Sequence, residues 1–317
     1  MARTKRCFEE YVAINGIQQY LLHFPCRGGE IMLVLHGGPG QSATPFAHHA
    51  EPPVPVCHAV YYDQRGTGKT LRKNPTKGSD VTAEKLLEDL AATVEYLKHA
   101  YQKDKIIIHG HSWGSVLGLL YAHQHPENVL FYIGSGQVVD CLQGERITLK
   151  KLKQLACDDA RDQETLSELE DGLADAKDFL LHAGTLMKLK KKHGLGISTK
   201  NVVRIALRSP VFGIADVRAL FRAQKLSIHL LDFLSAFSAW EITELNTPAY
   251  FIHGENDGQI PIEQVMEYFD GLVAPDKGFY PIADAGHICV ADNLKGVLCA
   301  LSEIQGRFSS HCREKSQ

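Results

Sequence analysis

The stretch Gly110-His111-Ser112-Trp113-Gly114 follows the apolar run Ile106-Ile107-Ile108, so a serine stands where a buried strand gives way to small residues. In that setting Gly-x-Ser-x-Gly reads as a strand-turn-helix elbow. The serine takes strained backbone angles, and the flanking glycines let neighbouring segments close in. A serine hydroxyl alone is a poor nucleophile. It needs a general base within hydrogen-bond reach, a carboxylate to orient that base, and N–H donors for the oxyanion of a tetrahedral intermediate.

The chain offers a candidate for each part. Asp257 lies in His253-Gly-Glu-Asn-Asp257-Gly-Gln-Ile-Pro261 and His287 in Asp284-Ala-Gly-His287, both just after apolar runs late in the sequence. His287 is the candidate base and Asp257 the candidate orienter, with Glu255 and Asp284 near enough in sequence to compete for the second role. The amide of Trp113 is one oxyanion donor. The other comes from His36-Gly37-Gly38-Pro39-Gly40, where Gly38 is the first choice and Gly37 the alternative. Cys289, two residues past His287, reads as a buried free thiol rather than a second nucleophile.

Other chemistries fit less well. Gly66-Thr-Gly68-Lys-Thr70 resembles the end of a phosphate-binding loop, but Asp63 stands where that motif needs its first glycine. The loop reads as structural, with Asp63 and Arg65 available to brace the segment 36–40. Sixteen histidines include the pairs His109/His111, His123/His125 and His48-His49, yet no His-Glu-x-x-His or Cys/His cluster marks a metal site.

These residues need a scaffold that ends several strands at one place. Residues 8–14 and 17–24 read as strands joined at Asn15-Gly16, an antiparallel edge. Ile31–Leu35 and Ala59–Tyr62 are apolar runs that open into glycine-rich loops. A helix over 82–100 is expected from Leu86, Leu87, Leu90, Val94 and Leu97 with Thr82 as its cap. Strand 105–109, helix 113–124 and strand 129–133 follow. From Val138 to Phe237 charge becomes dense and helical periodicity replaces strand runs, which marks a helical insertion. Strand 249–253, a helix from near Pro261, strand 279–282 and a closing helix over 293–308 complete the chain, with 309–317 as a frayed tail. Alternating strands and helices predict an α/β fold with a mostly parallel central sheet flanked by helices.

The chain has 317 residues, 44% hydrophobic and 22% charged, with a formal net charge of -3. No basic footprint for nucleic acid and no single-sign tail for a membrane surface stands out. The first six residues are basic, but Glu9-Glu10 falls where an export signal needs an apolar stretch. The eight cysteines show no paired spacing. Together these features predict a cytoplasmic protein with reduced thiols and no nucleic-acid or membrane partner, its oligomeric state open.

His36-Gly-Gly-Pro-Gly40, Asp63-Gln-Arg-Gly66, Gly110-His-Ser-Trp-Gly-Ser115 and Asp284-Ala-Gly-His287 together resemble the proline iminopeptidase branch of the α/β-hydrolases. The resemblance covers roughly 8–137 and 245–308. It implies an α/β-hydrolase core (1–137 and 238–317) under a helical cap (138–237). Ser112 would be nucleophile, His287 base and Asp257 orienter, with no cofactor, and the activity would be release of an N-terminal residue, often proline, from short peptides. Members of that family set acidic cap residues, including a glutamate after a tryptophan, against the substrate amino group. Trp240-Glu241 carries the pair, close against the following strand, and makes Glu241 the substrate-binding candidate. The acidic run Glu164, Glu168, Glu170, Asp171, Asp175 and Asp178 is an alternative amine site or a solvated helix face. Relatives with other caps cleave esters or lactones, so a small-molecule carboxylesterase is the second reading. A non-catalytic ligand-binding fold is the third.

Overall fold

A computed structural model of the chain describes residues 7–49, 57–172 and 176–314. Eight strands form one sheet in the order β1-β2-β4-β3-β5-β6-β7-β8. They are β1 (Phe8–Ile14), β2 (Ile17–Phe24), β3 (Glu30–Leu35), β4 (Cys57–Tyr62), β5 (Ile106–His111), β6 (Val129–Ser135), β7 (Ala249–Gly254) and β8 (Lys277–Ile282). Strands β1 and β2 form the antiparallel edge, turning at Asn15 and Gly16, both with positive φ as a tight hairpin turn requires. From β4 onward every pairing is parallel.

Helices fill the connections: α1 (Thr44–Ala47), α2 (Gly68–Lys73), α3 (Ala83–Tyr101) and α4 (Trp113–Gln124) precede β6, while α11 (Ile262–Gly271), α12 (Cys289–Asp292) and α13 (Leu294–Glu314) follow β7. Continuous apolar strands suit a sheet covered on both sides, because successive side chains point to opposite faces. Leu33, Leu35, Ile106, Ile108 and Phe251 face α3, α4 and α11, and Met32, Ile107, Ile133, Tyr250 and Ile252 face α13. Ile106, Ile107 and Ile108 are at most 1% exposed. Burying each contributes about 1.5–3 kcal/mol, so the run before the serine anchors it.

Local signals set the helix ends. Thr82 accepts a hydrogen bond from the Lys85 amide at the start of α3, and Asn293 accepts from Gly296 N at the start of α13. Helix α13 continues to Glu314, so residues 309–314 are helical and not a frayed tail. No glycine or proline interrupts Phe308–Glu314, and an established helix gains a hydrogen bond with each added residue.

Between β6 and β7 lie α5 (Cys141–Leu155), α6 (Ala160–Gly172), α7 (Ala176–Lys192), α8 (Thr199–Arg208), α9 (Ile214–Leu226) and α10 (Leu230–Ala236). The segment leaves and returns at one point, where Asp140 pairs with Ser238 and Ala239 N donates to Val139 O at 2.7 Å. Leucines of α5, α6 and α7 form a separate small core.

Candidate active site

Ser112 sits between β5 and α4 with φ 52° and ψ -121°. Such an angle in a non-glycine residue costs roughly 1–3 kcal/mol and persists only where surroundings enforce it. The enforcement is steric. A Cβ at Gly110 would collide with the Gly114 carbonyl, and one at Gly114 with the Leu35 carbonyl.

His287 Nε2 lies 2.9 Å from Ser112 Oγ, and His287 Nδ1 lies 2.8 Å from Asp257 Oδ2. An ionised carboxylate only accepts, so Nδ1 carries the hydrogen and Nε2 is the acceptor for the serine hydroxyl. Asp257 Oδ1 accepts from the amides of Gln259 and Ile260 at 2.8 and 2.9 Å. Burial alone would raise the Asp257 pKa, but the charge and hydrogen bond of His287, with His253 and the Ile260 amide, hold it well below the carboxylate range. The competitors Glu255 and Asp284 are exposed.

Several partners are invisible in the linear sequence. His253 Nε2 donates to Ile260 O at 2.8 Å and stands 3.4 Å from Asp257 Oδ2, so the carboxylate has an imidazole on two sides. Burial lowers the His253 pKa and keeps that ring neutral. Gln64 is the second. Its Nε2 donates to His36 O at 3.0 Å and its Oε1 accepts from the Trp113 indole at 3.0 Å. Its backbone amide donates to His36 Nε2 at 3.1 Å. One residue thus ties the 36–40 loop to the residue after the serine.

The bracing expected of Asp63 and Arg65 divides. Asp63 accepts from Ala43 N and Lys69 N, pinning the segment just beyond Gly40 to the start of α2. Arg65 turns away and pairs with Asp89 on α3 at 2.7 Å, so it does not brace the loop. Consecutive residues leaving a strand point in different directions, and Gln64 is the one aimed at His36.

Gly37, Gly38, Ser112 and His287 line a cavity of about 330 Å³. Gly38 has φ 137°, and a Cβ there would press on the amides of Gly40 and Gln41. Trp113 is fully buried at the first position of α4, where backbone N–H groups are free to meet negative charge. Glu241 lies on the exposed face of a short turn at 239–241 and is not among the residues lining the cavity. Its neighbour Trp240 donates to Gln143 Oε1 at 2.8 Å. Two acidic residues do line the cavity: Asp140, whose Oδ1 accepts from Gln143 N as the cap of α5, and Glu145 on α5. Glu145 Oε1 pairs with Lys190 of α7 at 2.7 Å, and Oε2 has no hydrogen-bond partner. Burial raises the Glu145 pKa against the pull of Lys190. In sequence both residues look like solvated charges, and only helix packing distinguishes them.

Glu164, Glu168 and Glu170 are exposed on α6, with Glu170 paired to Lys153. Asp175 and the side chains of Asp171 and Asp178 lie outside the described residues. Among the described residues no group of three His, Cys, Asp or Glu is disposed to hold a metal. His109 Nε2 bonds Ser135 Oγ and His111 Nε2 bonds His287 O. Burial pushes the Cys289 thiol up to about 12, which keeps it protonated. No described helix is long and apolar enough to cross a membrane.

Residues 30–294 match the family described as alpha/beta hydrolase fold. The chain belongs to that family. A probable aminopeptidase of Bacillus subtilis is 26% identical over 267 residues, covering 81% of this chain and 83% of the relative. A proline iminopeptidase of Heyndrickxia coagulans is 25% identical over 266 residues, covering 82% and 85%. The crystal structure of a Mycobacterium smegmatis proline iminopeptidase shares the fold with a TM-score of 0.66, at 16% identity over 96% of this chain and 100% of that one. The two sequence relatives carry names for peptide hydrolysis, and the mostly parallel sheet of this hydrolase ends its strands at the Ser112 cavity.

Proposed function

We propose that this hydrolase acts by acyl transfer through Ser112. The observation that carries the reading is the continuous hydrogen-bonded line from Ser112 Oγ through His287 to Asp257, with separations of 2.9 and 2.8 Å. His287 Nε2 takes the serine proton as Oγ attacks the substrate carbonyl. Asp257 stabilises the imidazolium, and His287 returns the proton to the leaving amine or alcohol. The amides of Trp113 and Gly38 hold the oxyanion, each worth about 3 kcal/mol by comparison with single-donor deletions. Water, deprotonated by the same histidine, then releases the acyl group.

The substrate reading is an aminopeptidase of the proline iminopeptidase kind, acting on short peptides or aminoacyl amides. Glu145 supports it, because it lines the cavity and one of its carboxylate oxygens, buried and without a hydrogen-bond partner, suits a substrate ammonium. In this reading 1–137 and 238–317 are the catalytic core and 138–237 is a cap that supplies Glu145. A carboxylesterase is the second reading, favoured by cavity walls that include Val138, Ile197, Leu231 and Leu234.

The test pairs a fluorophosphonate probe with aminoacyl arylamides bearing free or blocked amines. Labelling should occur in the wild type and vanish in Ser112→Ala. Absence of labelling in the wild type counts for a non-catalytic fold. Free-amine substrates should be preferred, and Glu145→Gln should erase that preference by raising KM. Equal turnover of blocked substrates transfers the assignment to the esterase.

A further inference from the structure

Helices α8 and α9 present a surface that the catalytic reading does not use. Six of the eleven large hydrophobic side chains exposed in the described chain fall between residues 203 and 228. They include Leu207 at 82%, Ile214 at 78%, and Phe221 and Ile228 at 63%. On α9, Ile214, Val217 and Phe221 recur at the spacing of one helix face. Asp216, Ala219 and Ala223 occupy the opposite, buried face. On α8, Val203 and Leu207 lie one turn apart, opposite buried Ile205. Isolated exposed apolar residues need no explanation, but a run concentrated on two successive helices does.

The charge around these residues is one-sided. Lys200, Arg204, Arg208, Arg218, Arg222 and Lys225 are all exposed, in a chain whose formal net charge is -3. The only acid from 199 to 228 is Asp216, which is buried and paired with Arg72. On both helices the bases follow the apolar stripe along its edge. That combination is what lets a helix lie in a lipid interface, apolar side chains among acyl chains and bases at anionic headgroups. A second copy of the chain is a poor occupant, since it would set six positive side chains against six others. A nucleic acid would satisfy the charge and leave Leu207, Ile214 and Phe221 facing phosphates.

We propose that α8 and α9 form a docking face for an anionic lipid bilayer. The enzyme would lie on the surface, since no described helix is long and apolar enough to cross it. The face is close to the chemistry, because the inner side of α9 packs on the loop beside the serine. A Cβ at Gly40 would come within 3.0 Å of Gln224 Cα. Docking therefore brings the Ser112 cavity next to the bilayer, whichever acyl substrate it takes. The sequence hides the surface because its bases are spread at helical intervals, with no block of like charge to announce them.

Co-sedimentation of the full chain with vesicles tests this. The chain should bind vesicles of mixed phosphatidylglycerol and phosphatidylcholine, less at high salt and far less to phosphatidylcholine alone. Arg204→Gln and Arg208→Gln should each weaken binding about fivefold, and the double variant Ile214→Asp/Phe221→Asp should abolish it. All these side chains are exposed, so turnover of a soluble aryl ester should be unchanged in every variant. Failure of the wild type to sediment at low salt overturns the proposal, as does full binding by the double variant. Light scattering that finds a wild-type dimer and a monomeric double variant assigns the face to a second copy and overturns it too. If the double variant does not fold, the two arginine variants still decide.

Discussion

Gln64→Met removes both side-chain hydrogen bonds of Gln64 while keeping nearly the same volume. It leaves the Trp113 indole N–H without its 3.0 Å acceptor and His36 O without its 3.0 Å donor. Trp113 is fully buried and His36 nearly so, so water does not replace either bond cheaply. A buried polar group stripped of its partner costs about 1–3 kcal/mol, so the pair costs about 2–6 kcal/mol. At about 2 °C per kcal/mol for a large domain, Tm should fall by roughly 4–12 °C. The kinetic effect follows a different route. Gln64 ties the loop bearing Gly38 to the residue bearing the Trp113 amide, and displacing one oxyanion donor lowers kcat by about 10²–10³. Differential scanning fluorimetry reads the first effect, and turnover of an activated ester well below the Tm reads the second. Neither requires the natural substrate. A variant that loses the expected stability yet keeps wild-type kcat refutes the link between Gln64 and the oxyanion hole. A variant with unchanged Tm refutes the hydrogen-bond energetics.

Arg65→Ala should destabilise the chain by about 3–5 kcal/mol, because it strands the buried Asp89 carboxylate. Activity at low temperature should persist, and loss of kcat in still-folded protein would return Arg65 to the loop. Gly114→Ala should give insoluble or inactive protein, since the new Cβ meets Leu35 backbone that cannot move without shifting β3. Soluble protein that labels with fluorophosphonate at the wild-type rate would sink that argument. Burial lowers the His36 pKa to about 4. Between pH 6.5 and 4 the unfolded chain therefore binds a proton that the folded chain refuses, and stability falls with falling pH. This histidine alone should cost about 2 kcal/mol at pH 5 relative to neutrality. His23 and His58 act in the same sense. Urea unfolding at pH 5 and 7 checks the sign, and equal stabilities would contradict it.

The fold is legible because its signals are local and repeated. Apolar runs ending in glycine-rich loops, the Asn15-Gly16 turn and the Thr82 cap each specify an element without reference to distant residues. Ser112, Asp257 and His287 can be named together because each follows a strand and their order leaves few alternatives. Gln64, His253 and Glu145 are different in kind. Their roles are not marked by their own neighbourhoods, even though Gln64 lies in the Asp63-Gln-Arg-Gly66 motif, and each matters through a residue between four and about fifty positions away. Arg65 is misplaced from sequence because adjacency is taken for direction. Glu241 is misplaced because a residue pair is taken for a location. The Glu145–Lys190 pair needs the packing of α5 on α7, which depends on leucines that any amphipathic helix would carry. Long-range pairing between helices is the part of this chain that composition and periodicity leave open.

The contact between Gly40 and α9 has a consequence for anyone who would graft a new specificity onto this scaffold. The segment 138–237 enters and leaves the sheet at a single seam, where Asp140 meets Ser238, and so invites exchange as a cassette. The seam is not its only attachment. Gln224 rests on Gly40, so a transplanted cassette that brings a bulkier or shorter element there would disturb the loop proposed to hold the oxyanion. Chimeras joined cleanly at the seam but unmatched at 223–224 should bind new substrates and turn them over poorly. Selectivity and rate would then be coupled through one glycine, and a useful library would vary both sides of that contact together.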